Sequence, residues 1–73
     1  MNFVVNYLDV YNNLIEKAKN RNIEEEKYVE HHHIIPLSIG GEDNKNNIVT
    51  LYPREHYIAH KLLHIIYPEN NSL

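Results

Sequence analysis

Five of the six histidines in this chain fall into two groups. One is the run His31-His32-His33, which leads into Ile34-Ile35-Pro36, and the other is the pair His56 and His60, at i and i+4 on a segment of helical periodicity. Imidazole is costly to bury unless its ring nitrogens find partners, so packing is a poor reason for so many of them. The pattern points to metal ligation and proton transfer. It also bears on what the chain can fold into. A chain of 73 residues buries only about 60% of the surface it exposes when unfolded, so its core is marginal and calls for a staple. Cysteine is absent, which removes disulfides and thiolate zinc sites and leaves a histidine-held metal or a partner chain.

The apolar residues Val4, Leu8, Tyr11, Ile15 and Ala18 recur at helical spacing, with Phe3, Tyr7 and Leu14 widening the stripe, and predict an amphipathic helix from about Asn2 to Lys19. Lys17, Lys19 and Arg21 complement the dipole at its end or touch a phosphate backbone, and the dipole and solvation reading is preferred. Glu24-Glu25-Glu26 follows as a solvated connector. Tyr28 to Ile35 is β-branched and aromatic and stops at Pro36, which predicts a strand. Alternation places Glu30, His32 and Ile34 on one face and His31, His33 and Ile35 on the other.

From Pro36 to Asn47 the composition, with Gly40-Gly41 and Glu42-Asp43, is that of a turn-rich loop, and Ile48 to Tyr52 is a second strand, antiparallel to the first. Pro53 opens a helix that runs to about Tyr67 and stops at Pro68. On it His56, His60 and His64 share one face, while Ile58, Leu62 and Ile65 form another. Glu69 to Leu73 read as a frayed tail. The fold class is α+β: an N-terminal amphipathic helix and connector over 1–27, a strand, loop, strand and helix unit over 28–67, and a short tail over 68–73, making a single domain.

Two histidines one helical turn apart bind one cation, and a third nitrogen from a neighbouring strand completes a three-ligand site with open positions. His56 and His60 supply the pair and His32 is the strand candidate. His33, on the opposite face, is left free to act on a proton, and imidazole is a reasonable general base near neutral pH.

The blocks His32-His33-Ile34-Ile35-Pro36-Leu37-Ser38, Gly40-Gly41, Asn47-Ile48-Val49 and Arg54-Glu55-His56-Tyr57-Ile58-Ala59-His60-Lys61-Leu62-Leu63, in that order, resemble the HNH endonucleases, the ββα-metal or His-Me finger nucleases, and most nearly their small phage-type and homing-type members. The first helix, with Tyr11, Leu14-Ile15, Ala18 and Arg21-Asn22, is similar to the segment that precedes the catalytic unit in that group. The resemblance implies a metal-dependent endonuclease or nickase acting on DNA, with His33 as general base and His32, His56 and His60 as metal ligands. Asn47 is implied to tie the loop to the first strand and fix the orientation of His33. The products implied are a 5′-phosphate and a 3′-hydroxyl. One divalent ion is implied: three imidazoles favour zinc or nickel on affinity, while magnesium or manganese could run the chemistry. Where relatives often carry Thr before the last block this chain has Tyr52, which cannot cap the helix with a short hydroxyl.

Arg54 is read as a holder of substrate phosphate, ahead of a plain carboxylate pair. For Glu30, support of the metal site and an exposed strand carboxylate stand level. His31 and His64 are assigned no role, and Tyr57, Leu62 and Leu63 are assigned to the core. Seven basic against ten acidic residues, a net charge of −3, argue against a strong general affinity for nucleic acid phosphates. A catalytically silent, metal-stabilised module that binds a protein or nucleic acid is the alternative, and a homodimer or a larger phage protein is the protein partner entertained. No apolar run approaches the roughly 20 residues that cross a bilayer, and Met1-Asn2-Phe3 lacks the basic start of a signal peptide. The expectation is a soluble cytoplasmic chain without a membrane partner, in the host cytoplasm if phage-encoded.

Overall fold

The computed structural model describes residues 4–73. Helix α1 spans Tyr7–Lys19, strand β1 Glu30–His33, strand β2 Ile48–Leu51 and helix α2 Pro53–Ile66, with single 3₁₀ turns at Leu37–Ile39 and Lys45–Asn47 in the loop between the strands. This is the expected α+β order. The strands pair antiparallel, with Glu30 opposite Leu51 and His33 opposite Ile48. No helix among the described residues is long and apolar enough to cross a membrane.

Helix α1 begins later than its apolar stripe suggests. The Asn6 side chain accepts the Asp9 backbone N–H at 3.1 Å, a cap that fixes the first turn and leaves Val4 and Val5 outside it. Val4 is accordingly 93% exposed. Asn2 and Phe3, expected to open the helix, lie outside the described residues. Tyr11, Ile15 and Ala18 form the buried face of α1, with Leu14 partly covered beside them.

Both strands are shorter than predicted because side chains intercept their ladders. Asn47 Oδ1 accepts the Ile35 N–H at 2.8 Å and Asn47 Nδ2 donates to the Ile35 carbonyl at 2.9 Å, so β1 ends at His33. At the end of β2, Glu55 accepts the Tyr52 N–H at 2.9 Å, turning that residue into the cap of α2. Tyr52 itself makes no side-chain cap hydrogen bond. The glycines serve the tight loop: Gly40 takes a left-handed φ of 101°, and a Cβ on Gly41 would meet the Ile35 carbonyl oxygen at 1.8 Å.

The core lies where α1, α2 and β2 meet. It comprises Tyr11, Ile15, Ala18, Val49, Leu51, Ala59, Leu62 and Leu63. Leu51 and Leu63 are fully buried, each contributing roughly 2 kcal/mol by transfer from water. The covered face of α2 is therefore Ala59, Leu62, Leu63 and the half-buried Ile66, an i, i+3, i+4, i+7 stripe. That corrects the expectation of Ile58, Leu62 and Ile65: Ile58 and Ile65 face solvent. Tyr57 is also outside the core at 63% exposure, with the Lys61 ammonium over its ring.

Arg21 departs from both readings given to it. Its guanidinium makes a two-pronged ion pair with Glu55 and lies over the Tyr52 ring at 4.4 Å, locking the end of α1 to the start of α2. That pair holds the Glu55 carboxyl below the usual carboxylate range. Nor is the tail frayed, since Leu73 packs against the core and Asn70 donates to the Ser38 hydroxyl at 3.4 Å.

Candidate active site

Because successive strand residues point to opposite faces, β1 delivers its adjacent histidines to different environments. His32 lies opposite Val49 and turns inward with it, and is only 3% exposed. From α2, His56 and His60 approach the same place. One ring nitrogen from each of His32, His56 and His60 lies within 4.8 Å of the other two. His56 Nε2 and His60 Nε2 are 3.1 Å apart. Two imidazoles bound at 2.0–2.1 Å to a tetrahedral ion have their nitrogens roughly 3.3 Å apart by simple trigonometry, so this pair already stands at ligand spacing. The three rings meet edge to face, with centroids 4.7, 5.1 and 5.2 Å apart, which lets nitrogens converge without stacking. The donor set fits a divalent ion that accepts imidazole.

Ligands must also be unprotonated. Burial, reinforced by the neighbouring His60, His56 and His33, lowers His32 to about 4. His60 is lowered by burial and then by His56, against a hydrogen bond to the backbone of Leu73. Both rings are thus neutral at neutral pH, with lone pairs to offer.

Two of the rings are anchored from outside the cluster. Glu30 accepts from His56 Nδ1 at 2.9 Å, so Nε2 is the His56 nitrogen turned to His60. The same bond holds the Glu30 carboxyl below its usual range, and Tyr28 donates to the other Glu30 oxygen at 3.2 Å. Of the two readings left level for Glu30, the structure gives it a contact with the histidine cluster. On the other side, the Tyr11 hydroxyl stands 2.7 Å from His32 Nε2 and 2.7 Å from the Ile34 carbonyl oxygen. Burial, aided by Tyr67, raises the Tyr11 phenol and keeps it protonated.

His33 occupies the outer face. Its Nε2 is 2.9 Å from Asp43 Oδ1, and since a carboxylate only accepts, that nitrogen carries a proton, so that in the neutral ring Nδ1 is the bare one. Asn47 Nδ2 donates to the Glu42 carbonyl at 2.9 Å, pinning the loop one residue before Asp43 while holding Ile35 with the same side chain. His33 and the three clustered histidines line one cleft of about 350 Å³, which Leu73 also edges. Arg54 is exposed in the first turn of α2, and none of the ion pairs among the described residues includes it. His31, opposite Thr50, and His64, in the last turn of α2, are exposed.

The structure therefore brings His32, His56 and His60 together, sets His33 beside them on the other strand face, and leaves Arg54 apart on the surface. Sequence reasoning missed two residues here. Tyr11 was absorbed into an apolar stripe, although a buried tyrosine needs a partner for its hydroxyl, which was the available signal. Asp43 carried no signal, because its bond to His33 depends on the path of the loop.

Comparison with known proteins adds a second line of observation. A family model described as HNH endonuclease matches residues 19–62. The chain is 55% identical to "Probable mobile endonuclease D" of Enterobacteria phage T4 over 62 residues, which are 81% of this chain and 24% of that protein. It is 52% identical to "Probable mobile endonuclease E" of the same phage over 64 residues, 88% of this chain and 45% of that protein. An "Uncharacterized 38.5 kDa protein in psbA intron 1" of Chlamydomonas moewusii is 43% identical over 64 residues, 88% of this chain and 18% of that protein. The chain thus spans less than half the length of these relatives. No solved structure matches it.

Proposed function

Because the chain belongs to the HNH endonuclease family, we propose that it hydrolyses DNA phosphodiester bonds, with His33 as general base and His32, His56 and His60 as the ligands of one divalent ion. The observation that supports this most strongly is the division of labour on β1: His32 converges with His56 and His60 within 4.8 Å, while His33 lines the same cleft outside that cluster, bonded to Asp43 through one nitrogen. A purely structural metal knot has no use for that fourth ring.

In this reading His33 Nδ1 takes a proton from water as the water oxygen bonds to phosphorus and the bond to the 3′ oxygen breaks, the released 3′ oxygen taking a proton from solvent to become the hydroxyl. The imidazolium that results is held by Asp43, already hydrogen-bonded to Nε2. Asn47 keeps the loop, and with it Asp43, in register with the strand. Arg54 meets a substrate phosphate from the helix end. The ion, when bound, supplies positive charge that stabilises the oxyanion developing on phosphate and leaving group. Local positive charge of that kind also offsets a net charge of −3, which by itself disfavours DNA.

Plasmid incubated with the protein and a panel of divalent ions tests the assignment. Wild type nicks or cuts with at least one ion. His33→Ala slows cleavage by about 10²- to 10⁴-fold while its zinc content stays that of wild type. His56→Ala loses zinc and cleavage together. Equal cleavage by wild type and His33→Ala removes the base. Intact plasmid under every ion, with zinc still bound, favours a silent metal-stabilised module.

A further inference from the structure

We infer that Tyr11 is a positioning residue for the metal site: by accepting from His32 Nε2–H while donating to the Ile34 carbonyl, its hydroxyl fixes the His32 tautomer whose Nδ1 lone pair faces His56 and His60. The inference rests on the ligand set proposed above and adds α1, which that set does not include, to the working parts of the site.

Proton counting carries the argument. A phenol has one proton, and the Tyr11 oxygen makes two contacts of 2.7 Å, one to His32 Nε2 and one to the Ile34 carbonyl. A carbonyl only accepts, so the phenolic proton must lie on the Ile34 contact; otherwise two oxygens would face each other at 2.7 Å with nothing between them. The contact to His32 then needs its proton from the ring, which makes Nε2 the protonated nitrogen. In the neutral ring that a metal requires, Nδ1 is then the bare nitrogen, free for the ion.

The arrangement at His56 is the converse. Glu30 takes Nδ1–H and leaves Nε2 for the site. Two of the three proposed ligands therefore each have one nitrogen committed to a protein acceptor, with opposite tautomers set by opposite neighbours. Of those two acceptors Tyr11 is the more deeply buried at 3% exposure, so water cannot readily substitute for it. Removing its oxygen would leave Nε2–H and the Ile34 carbonyl without this partner and release the ring to populate the other tautomer, with Nδ1 protonated and unable to bind.

A two-bond proton–nitrogen correlation spectrum of the ¹⁵N-labelled, metal-free full chain near neutral pH reads the tautomers directly, and zinc titration by calorimetry reads affinity. In wild type His32 shows Nε2–H and a bare Nδ1. In Tyr11→Phe the His32 signals shift toward the Nδ1–H form or an average of the two, and zinc affinity falls roughly 10- to 100-fold while the His56 pattern is unchanged. A wild-type spectrum with Nδ1–H on His32, in a protein that binds zinc, overturns the role of Tyr11 and leaves the ligand set standing. Nε2–H on His32 in a wild type that binds no divalent ion overturns the ligand set and the role of Tyr11 with it. Unchanged tautomer and unchanged affinity in Tyr11→Phe also overturn the inference. The wild-type spectrum decides whether or not the variant folds.

Discussion

The inner and outer faces of β1 hold chemically identical side chains in contrasting settings. His32, on the inner face, is buried, paired with a tyrosine and pushed down to about 4. On the outer face His33 is half-exposed and bonded to a loop carboxylate. One residue of sequence and the pleat of a strand account for the difference. A dry environment suits a lone pair reserved for a metal, because protonation there is penalised. A wetter one beside an anion suits a group that must gain and release a proton. The pleat thus separates two jobs that would interfere on one ring.

If the faces differ in this way, acid should act on them unequally, and the largest effect belongs to the inner one. Unfolded, His32 has the ordinary histidine value of 6.5, whereas folded it sits at about 4, so the unfolded chain binds more protons between those values. Stability is therefore full above pH 6.5 and declines as the pH falls through that window. For this one ring the loss by pH 4 is about 3 kcal/mol. Urea unfolding of metal-free protein at a series of pH values measures it. His32→Gln should flatten the slope over that window. The same slope in wild type and His32→Gln would show that the inner face is not what the acid reaches.

Asn47 ties the loop that carries Asp43 to the end of β1, and a smaller effect is expected from cutting it. Asn47→Ala removes three side-chain hydrogen bonds, two to Ile35 and one to the Glu42 carbonyl. Their exposure lets water replace part of the loss, so denaturant unfolding should report a cost of about 2 kcal/mol. Cleavage should fall as well, since Asp43 is no longer held against His33. Zinc affinity should stay near that of wild type, because none of those bonds reaches the cluster. A variant that loses zinc binding and retains its loop would invert the comparison.

How much of this was legible follows from the same contrast. The element order and the opposite directions of His32 and His33 were readable because strand and helix periodicities are local properties of the chain. His56 and His60 were readable as a pair for that reason. Helix and strand ends were less so: Asn6, Asn47 and Glu55 stop α1, β1 and β2 through side-chain bonds that compete with the backbone ladder. Arg21 was misread because its partner Glu55 is distant in sequence and brought close only by the crossing of the two helices. The exposed Tyr57, Ile58 and Ile65 were misplaced because α2 is apolar over more of its circumference than the small core covers, leaving the phase of its buried stripe open to tertiary packing. Tyr11 is the instructive case, since the stripe located the residue correctly and concealed its hydroxyl.

The smallest expected effect sharpens what the outer face contributes. Asp43 is largely exposed, so its attraction for a protonated His33 is screened by water and salt even though the hydrogen bond is short. Asp43→Asn keeps an oxygen that accepts from Nε2–H and removes only the charge. The rate of plasmid cleavage should therefore drop by about threefold at low ionic strength, less than the factor of ten that 1.4 kcal/mol would represent. The deficit should narrow as salt is added, while metal affinity is unaffected. A rate equal to wild type at low salt would leave Asp43 with no electrostatic part in the reaction. A fall as large as that of His33→Ala would mean that the carboxylate does more than steady the base, and the outer face would then hold two essential groups instead of one.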